Sequence, residues 1–403
     1  MEPRTGRTKP HPKSLAVGAL LTFLIALGQI SNSIYIPSMP ALVKAFDTGM
    51  EQVNLTFTVF LVGFAISQVV YGPFSDRFGR RRVLLGGLVL YFVASVACTI
   101  SFTIEILIAA RFAQAVGACA GPVMTYAIVR DVYERKHAAR VLAYINVAFA
   151  ISPAIMPLIG GYLQAWFGWR ANFLFLSAVA GSAFLAVWLI LNETITQSDP
   201  RATRPSRIAL TFVMLLRSRE FLGHMLSVAF IFAGLMAYQA SSSFLFINTL
   251  GLSPERFGLL SAFIVVGYLT GTLAAGRWTL RFGIDSLVMA GTLLALTGGV
   301  AMTAIALTGH LSVAAIIGPM MLYMAGMGLV MPNAIAGAMG PFPQVAGTAS
   351  ALLGFCQMAI AAAASLVVGW MSQRSQLPLA LAITVSAAIA ATAFTALVWR
   401  RRV

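Results

Sequence analysis

Long apolar runs separated by short polar segments extend along almost the whole chain. A membrane-spanning helix needs about 20 mostly apolar residues, and twelve stretches have this length and character. They lie near residues 15–36, 54–74, 83–101, 104–126, 141–163, 170–191, 222–247, 257–276, 286–307, 312–333, 346–368 and 378–398. The pattern predicts an all-α integral membrane protein with twelve transmembrane helices, numbered here as spans one to twelve.

The longest polar segment between spans runs from Asn192 to Glu220 and separates span six from span seven. It divides the chain into an N-terminal six-helix half, residues 1–192, and a C-terminal six-helix half, residues 221–403. Residues 193–220 are then a central loop, which we expect in the cytoplasm.

The two halves carry a sequence repeat. Span two ends in Gly72-Pro-Phe-Ser-Asp-Arg-Phe-Gly79, and span eight ends in Gly276-Arg-Trp-Thr-Leu-Arg-Phe-Gly283, 204 residues later. Gly87 and Gly291 have the same separation. Parallel repeats related by an axis along the membrane normal are typical of secondary transporters, which bind substrate between the halves near the midplane. The repeat therefore favours a transporter over an enzyme or a receptor.

Charge supports the same interpretation and gives an orientation. Only 10% of the residues are charged, whereas a soluble domain has about 25%. Of the 27 Lys and Arg residues, 22 lie on the side of the chain termini, which places both termini in the cytoplasm of a bacterial inner membrane. This asymmetry accounts for the net charge of +15 without nucleic acid, whose binding would need a basic patch or stripe.

Acidic residues and histidines avoid the predicted membrane centre. All twelve acidic residues and all four histidines, including His224 and Asp285, lie in loops or within a turn or two of a span end. A membrane enzyme or a metal site would need such residues clustered near one face, so we expect neither catalysis nor a cofactor. A proton-coupled carrier usually needs a titratable group inside the membrane, and its identity is not evident here.

Arg111 is the one charged residue well inside a span. It lies about 10 Å from the outer end of span four at 1.5 Å per residue, where a charge costs roughly 2.5–3.5 kcal/mol to insert. It therefore needs a cavity or a hydrogen-bonding neighbour. One interpretation makes it an anchor for substrate or a partner in proton exchange. The other makes it a structural arginine bonded to backbone carbonyls of the first helix.

Polar and aromatic residues within spans are candidates for contact with a small amphiphilic substrate. Gln29, Asn32 and Tyr35 recur at three-residue spacing, which predicts one shared face of helix one. The further candidates are Ser33, Gln114, Tyr126, Asn146, Tyr238, Gln239, Tyr268, Asn333 and Gln357. Each of them taken alone is also explained by a hydrogen bond between helices.

The segment that follows span two has readable chemistry. Gly72 and Gly79 permit close helix approach and a tight turn, and Asp76 can accept from a helix N-terminus or pair with an arginine. In full, Gly72-Pro-Phe-Ser-Asp76-Arg77-Phe-Gly79-Arg80-Arg-Arg82 resembles the loop signature of the major facilitator superfamily. The resemblance implies the major facilitator fold, alternating access, and conformational roles for Gly72, Asp76, Arg77, Gly79 and Arg80.

Other segments resemble the drug:proton antiporter branch, and within it the bicyclomycin and chloramphenicol resistance family (Bcr/CflA). They are Tyr35-Ile-Pro-Ser-Met-Pro40, Arg111-Phe-Ala-Gln114-Ala-Val-Gly117 with Arg130-Asp131, Ser152-Pro153-Ala-Ile-Met-Pro157-Leu-Ile-Gly160-Gly161, and Pro332-Asn-Ala334 with Pro341-Phe-Pro343. The resemblance implies multidrug efflux of amphenicol-, sulfonamide- or bicyclomycin-like compounds by a monomer, with a proton as coupling ion. It also implies gating roles for Arg130, Asp131, Pro153, Pro157, Gly160 and Gly161, since proline kinks a helix and glycine admits a neighbouring backbone.

This chain departs from the branch at specific positions. Ser152 and Met156 replace glycines of the wider antiporter motif, and Ser33 stands where relatives usually have an aspartate in the first helix. An uptake or facilitative carrier for a metabolite, with the same fold, is therefore the alternative function. A membrane enzyme and a non-transporting sensor fit the sequence less well.

Overall fold

The structure, a computed structural model, describes residues 15–133, 135–195, 205–371 and 375–401. Within these ranges the chain forms fourteen α-helices and no strand. The helices are α1 (Leu15–Ser33), α2 (Met39–Ala45), α3 (Met50–Phe78), α4 (Arg80–Thr99), α5 (Ile104–Val132), α6 (Arg135–Phe167), α7 (Arg170–Ile190), α8 (Pro205–Arg217), α9 (Arg219–Ser243), α10 (Pro254–Phe282), α11 (Ile284–Leu307), α12 (Val313–Met339), α13 (Ala346–Trp370) and α14 (Leu377–Leu397).

Eleven helical segments among the described residues are long and apolar enough to cross a membrane. Predicted span five, residues 141–163, lies in α6, a helix of 33 residues. The side chains of residues 135–140, 142–144 and 146–150 are outside the described part of α6. The predicted all-α membrane fold is confirmed, and twelve spans are compatible with it. Helix α8, which the hydropathy pattern did not predict, lies within the segment expected to be a loop.

The first span differs from its prediction at its end. Helix α1 ends at Ser33, a 3₁₀ turn follows at Ile36–Ser38, and α2 continues the helical path to Ala45. Pro37 and Pro40 occupy early positions of these two short helices, where proline's fixed φ is accommodated and its missing N–H costs nothing. Because the backbone changes course after Ser33, Tyr35 does not continue the α1 face that carries Gln29 and Asn32.

The sequence repeat corresponds to repeated local structure. Gly79 ends α3 with φ +97°, and Gly283 ends α10 with φ +82°, a region in which glycine is favoured because it lacks Cβ. Gly87 of α4 packs so closely on α5 that a Cβ would collide with that of Ala120, and a Cβ on Gly291 would lie 2.7 Å from the Gly326 carbonyl of α12. Both turns lie at one end of the bundle, which we call the basic end, and the other is the opposite end.

Helices from the two predicted halves pack against each other directly. Helix α3 packs against α13, and α6 packs against α10. The hydroxyl groups of Thr58 on α3 and Ser365 on α13 lie 3.0 Å apart and are hydrogen-bonded. Both residues belong to the part of their helix that is nearer the opposite end, so the halves are in contact there.

Candidate functional site

Three aromatic rings surround the guanidinium of Arg111, which is completely buried. Its Cζ atom lies 4.2 Å from the ring centroid of Tyr35, 4.3 Å from that of Phe60 and 5.9 Å from that of Phe173. A desolvated cation–π contact contributes about 2 kcal/mol or more. Among the described residues no carboxylate lies within ion-pair distance of Arg111, so aromatic faces take the place of a counter-charge.

Hydrogen bonds hold Arg111 at one of its three nitrogens. Nη1 donates to the carbonyl oxygen of Ser31 on α1 at 3.3 Å and to Oε1 of Gln114 at 2.5 Å. Nε and Nη2 are buried and have no hydrogen-bond partner among the described residues. The bond to Ser31 is the contact expected of a structural arginine. These two nitrogens carry three N–H groups, each costing about 1–3 kcal/mol when buried without a partner. Such groups are what a substrate anchor would offer, so the geometry is compatible with both interpretations.

The contacts of Arg111 continue into a buried network between α1, α4 and α5. Nε2 of Gln114 donates to the hydroxyl of Ser95 at 2.8 Å, and this hydroxyl donates to the carbonyl oxygen of Tyr91 at 2.7 Å. The hydroxyl of Tyr91 lies 2.6 Å from that of Ser31. Gln114 is completely buried and therefore belongs to the interior of the first half.

Asn32 joins the two halves near the end of α1. Its Nδ2 donates to Oε1 of Gln239 on α9 at 3.2 Å and contacts Sδ of Met236 at 3.7 Å. Asn32 is 3% exposed and Gln239 is 6% exposed, and Oδ1 of Asn32 has no partner among the described residues. The two halves are therefore bridged at this depth by uncharged amides.

The predicted common face of Gln29, Asn32 and Tyr35 is wrong for Tyr35, which lies beyond the end of α1, and the three side chains have different partners. Nε2 of Gln29 donates to the hydroxyl of Ser33, one turn later on the same helix, at 3.0 Å. Asn32 meets the other half, whereas the Tyr35 hydroxyl is 3.4 Å from that of Thr56 on α3. The physical reason is the change of backbone course after Ser33, which turns Tyr35 into the first half.

The remaining candidates differ in their surroundings. Asn333 connects α12 to α10, because its Oδ1 accepts a hydrogen bond from Thr279 of α10 at 2.8 Å. Its Nδ2 donates to the Leu329 carbonyl of its own helix at 2.8 Å. Asn333 therefore has the role of a hydrogen bond between helices. Tyr238 and Gln357 are buried, and Tyr126 is 43% exposed. Tyr268 is half-buried, and the side chain of Asn146 lies outside the described residues.

A cluster of charges at the basic end is centred on Arg80, which is 3% exposed. Its Nη2 lies 2.5 Å from Oδ1 of Asp76 at the end of α3, and its Nε lies 2.9 Å from Oδ2 of Asp131 at the end of α5. Nη1 donates to the hydroxyl of Ser75. Of the two partners expected for Asp76, the arginine is the one observed. Arg77, by contrast, is exposed and stacks over the ring of Phe78 at 5.0 Å.

The acceptor at the N-terminus of α4 is Glu193, which sequence reasoning missed. Its carboxylate accepts from the backbone N–H groups of Arg80 at 2.9 Å and Arg81 at 3.2 Å, where the helix dipole favours negative charge. A Cβ on Gly79 would lie 2.6 Å from Oε2 of Glu193.

Gly72 behaves differently. The close approach expected there is wrong, because the side of α3 that it occupies has no described atom within 4 Å of a Cβ.

Helix α6 contains Pro153 and Pro157 and continues through both of them. A Cβ on Gly160 would collide with the carbonyl oxygen of Ile34, and one on Gly161 would collide with that of Pro254 at the start of α10. A Cβ on Gly258 of α10 would in turn lie 2.6 Å from the carbonyl oxygen of Pro157. The expected close backbone approach is observed, and it joins the halves near the opposite end.

Comparison with known proteins decides the family. The model of the Major Facilitator Superfamily matches residues 21–365. The chain belongs to this superfamily. It is 31% identical to "Multidrug resistance protein D" of Escherichia coli (strain K12) over 84% of each chain. It is 32% identical to "Chloramphenicol resistance protein" of Pseudomonas aeruginosa over 84% of this chain and 79% of that one. The expected superfamily is confirmed, and these relatives carry the names of the expected drug-resistance branch.

A solved structure shares the fold of this major facilitator protein. The D-xylose-proton symporter has a TM-score of 0.76 with it, at 17% sequence identity, over 93% of this chain and 96% of that chain. At this identity the likeness shows the architecture alone. The chain is thus a many-span membrane protein of a transporter family.

Several residues around Arg111 escaped the sequence analysis. Phe60 and Phe173 are two of 27 phenylalanines, and nothing in their spacing separates a ring over a cation from one that packs against lipid. Ser31, Tyr91 and Ser95 are similarly ordinary in sequence. A usable signal was the burial that Arg111 demands, because a charge in a span requires partners on the neighbouring helices.

Proposed function

We propose that this major facilitator protein exports small amphiphilic drugs across the bacterial inner membrane, by alternating access and in exchange for protons. The observation that carries the proposal is the buried hydrogen bond between Asn32 and Gln239. A neutral hydrogen bond contributes about 0.5–1.5 kcal/mol net, so a neutral drug with one donor and one acceptor can replace it. The names of the relatives, which refer to multidrug and chloramphenicol resistance, support the same function.

The proposed machine consists of two bodies, residues 1–192 and 221–403, which rock about their common axis while segment 193–220 links them. The distribution of Lys and Arg supports cytoplasmic placement of both termini and of the basic end. We propose that the protein works as a monomer in the lipid bilayer, with the drug and the proton as its ligands. In this proposal it has no catalytic activity and uses no cofactor.

The proposed drug contacts centre on Asn32 and Gln239. Asn32 has a free acceptor, since Oδ1 has no partner among the described residues. The carboxamide of Gln239 becomes available when a drug replaces its hydrogen bond to Asn32. Residues proposed to complete the contact surface are Gln29, Ser33, Tyr126, Asn146, Tyr238 and Gln357. Tyr35 and Gln114, which contact Arg111 inside the first half, are proposed to contribute to drug binding through it.

Arg111 is proposed to determine which drugs are accepted. Its guanidinium is completely buried and has no described counter-ion within ion-pair distance, so its charge acts on any ligand nearby. Two like charges about 8 Å apart repel by ~2 kcal/mol at an effective dielectric constant of 20. This predicts a preference for neutral or weakly acidic drugs over lipophilic cations.

A susceptibility panel in a host that lacks its own efflux pumps tests the function. We expect expression of the chain to raise the inhibitory concentration of amphenicols and sulfonamides at least about fourfold over an empty vector. A fourfold concentration ratio corresponds to ~0.8 kcal/mol. A matched control carries Asn32→Ala and Gln239→Ala together at the same protein level. No change for any drug in the panel would overturn the proposal.

Uptake or facilitated movement of a metabolite is the second candidate. Its support is Ser33, which is buried and accepts a hydrogen bond from Gln29, so the first helix has no carboxylate where relatives usually place one. Membrane vesicles distinguish the two candidates. Drug movement that follows an imposed pH gradient supports exchange, whereas equal movement with and without the gradient supports a facilitative carrier.

A further inference from the structure

A histidine and an aspartate meet inside the second half. His224 of α9 is completely buried, and Asp285 of α11 is 8% exposed. Nε2 of His224 lies 3.1 Å from Oδ1 of Asp285, and Nδ1 lies 2.8 Å from the carbonyl oxygen of Glu220. Both residues lie within the first two turns of their helices at the basic end. A titratable pair so enclosed stands out in a chain whose acids otherwise avoid the span interiors.

The hydrogen bonds of the ring determine where its protons are. A carbonyl oxygen only accepts, so Nδ1 carries a proton and donates a hydrogen bond to the backbone carbonyl oxygen of Glu220. A neutral imidazole would then have a bare Nε2 that only accepts, facing a carboxylate that also only accepts. The observed approach of Nε2 to Oδ1 therefore requires one more proton between them. We assign this proton to the pair, since it lies between an acceptor of each residue.

The elements packed around the pair differ in the charge that they carry. Helices α12 and α14 carry no acidic, basic or histidine side chain, although both touch the ring: a Cβ on Gly337 of α12 would collide with Nε2, and the Phe394 ring of α14 lies edge-on at 5.3 Å. The charged residues nearest the basic end of the neighbouring segments are Arg219 and Glu220 on α9, Arg277 and Arg281 on α10, Arg217 at the end of α8, and Arg400 after α14, whereas Glu255 and Arg256 lie at the other end of α10.

We propose that His224 and Asp285 form a one-proton site that releases its proton at the basic end. With the proton the pair is neutral overall and holds α9 to α11. When the proton leaves to water, one negative charge and two facing acceptors remain 3.1 Å apart, and the pair separates. Because four helices meet at the ring, this separation shifts the packing of the second half. On the proposed function, to which this step alone is tied, the proton enters from the opposite end in the other conformation of the cycle, and its release here is exchanged for drug.

The proton itself is measured without transport. The purified full-length protein is labelled with ¹⁵N-histidine, and the His224 signals are assigned by their loss in His224→Gln. We expect the Nε2 signal of the wild type to be that of a nitrogen sharing a proton, and that of Asp285→Asn to be the signal of a bare nitrogen. Gly337→Ala, which displaces the ring but keeps both titratable groups, should resemble Asp285→Asn. An Nε2 signal that is the same in all three proteins would overturn the site.

Coupling is measured separately in proteoliposomes with a drug that the wild type exports. We expect His224→Gln and Asp285→Asn to lose at least about tenfold in uptake driven by a pH gradient, while exchange of drug for drug stays within about twofold. His310→Gln, at an exposed histidine near the opposite end, should match the wild type in both assays. Unchanged gradient-driven uptake in both pair variants would overturn the coupling role. If the wild type moves no drug, the proposed function fails, and the Nε2 signal still decides the site.

Discussion

Asp76 at the end of α3 and Asp131 at the end of α5 bind the same guanidinium, that of Arg80. The Arg80 side chain is 4% exposed, whereas that of Asp76 is 37% exposed. The arginine is therefore the buried member, and the two carboxylates reach it from different helices. Any motion that separates α3 from α5 at the basic end leaves a buried cation with less compensation.

Asp76→Asn should keep the protein folded in the membrane and reduce drug export at least about tenfold. The change removes the charge that Arg80 faces on α3, but Asp131 still binds Arg80. We therefore expect a smaller effect on the stability of the fold than on the change between conformations. Export rates in vesicles, compared at equal amounts of protein, check this. Export at the wild-type rate would contradict a gating role for Asp76.

The second half provides a matched control for that experiment. Leu280 occupies the position equivalent to Asp76, and it is 98% exposed, so it has neither a charge nor a packing contact to lose. Leu280→Ala should leave export within about twofold of the wild type, whereas Asp76→Ala should not. Equal losses in the two alanine variants would mean that the charge of Asp76 is not what export requires.

Gly161→Ala should block export, because the new methyl group collides with the carbonyl oxygen of Pro254 and forces α6 away from α10. Overpacking of this kind costs typically about 1–3 kcal/mol and acts on the contact between the halves. Gly318→Ala is the control, since a Cβ there has no described atom within 4 Å. Export and the melting temperature in detergent are measured for both. Normal export by Gly161→Ala would show that close contact at this point is dispensable.

Asn32→Ala and Gln239→Ala should each raise the KM for a neutral drug about fivefold, equivalent to ~1 kcal/mol. The double variant should show less than the product of the two effects, because the residues are coupled. Asn333→Ala removes an amide that bonds two helices of the second half. It should lower thermal stability without changing KM. Strictly multiplicative effects of the first two changes would separate them into independent sites.

Arg111→Ala should abolish export of neutral and weakly acidic amphiphiles, since it removes the buried cation from among Tyr35, Phe60 and Phe173. Arg111→Lys should rescue export only in part, because the lysine ammonium lacks the planar guanidinium that lies among the three rings and the Nε and Nη2 donors that a substrate could use. Chloramphenicol and ethidium export are measured in parallel. Robust ethidium export, undiminished in Arg111→Ala, would reduce the arginine to a structural role.

The sequence predicted those parts of the molecule that depend on one-dimensional patterns. The apolar runs located the spans, and the repeat placed Gly79 and Gly283 at equivalent span ends, where both have positive φ. It also identified Arg111 as a residue that must find partners. These features depend on composition and on residue spacing, both of which can be read from the sequence itself.

What the sequence did not predict depends on which helices become neighbours. Glu193 lies three residues after the end of α7, and only the folded bundle brings it to the N-terminus of α4. His224 and Asp285 lie at different span ends, 61 residues apart, and in sequence each is an ordinary end residue. Tyr35 was misplaced for a local reason, since the effect of Pro37 on the direction of the chain is not visible in residue spacing.

The meeting of α6 and α10 has a mechanical consequence. At Gly161 and Gly258 the contact is made by main-chain atoms of Pro254 and Pro157, so few side-chain rotamers have to be reset when the surfaces part and rejoin. The loss on opening is mainly dispersion, which is small for each atom pair, and little conformational entropy changes with it. In the proposed transport cycle, α6 and α10 can therefore re-form the same contact each time, because no side chain can be trapped between them in a wrong rotamer.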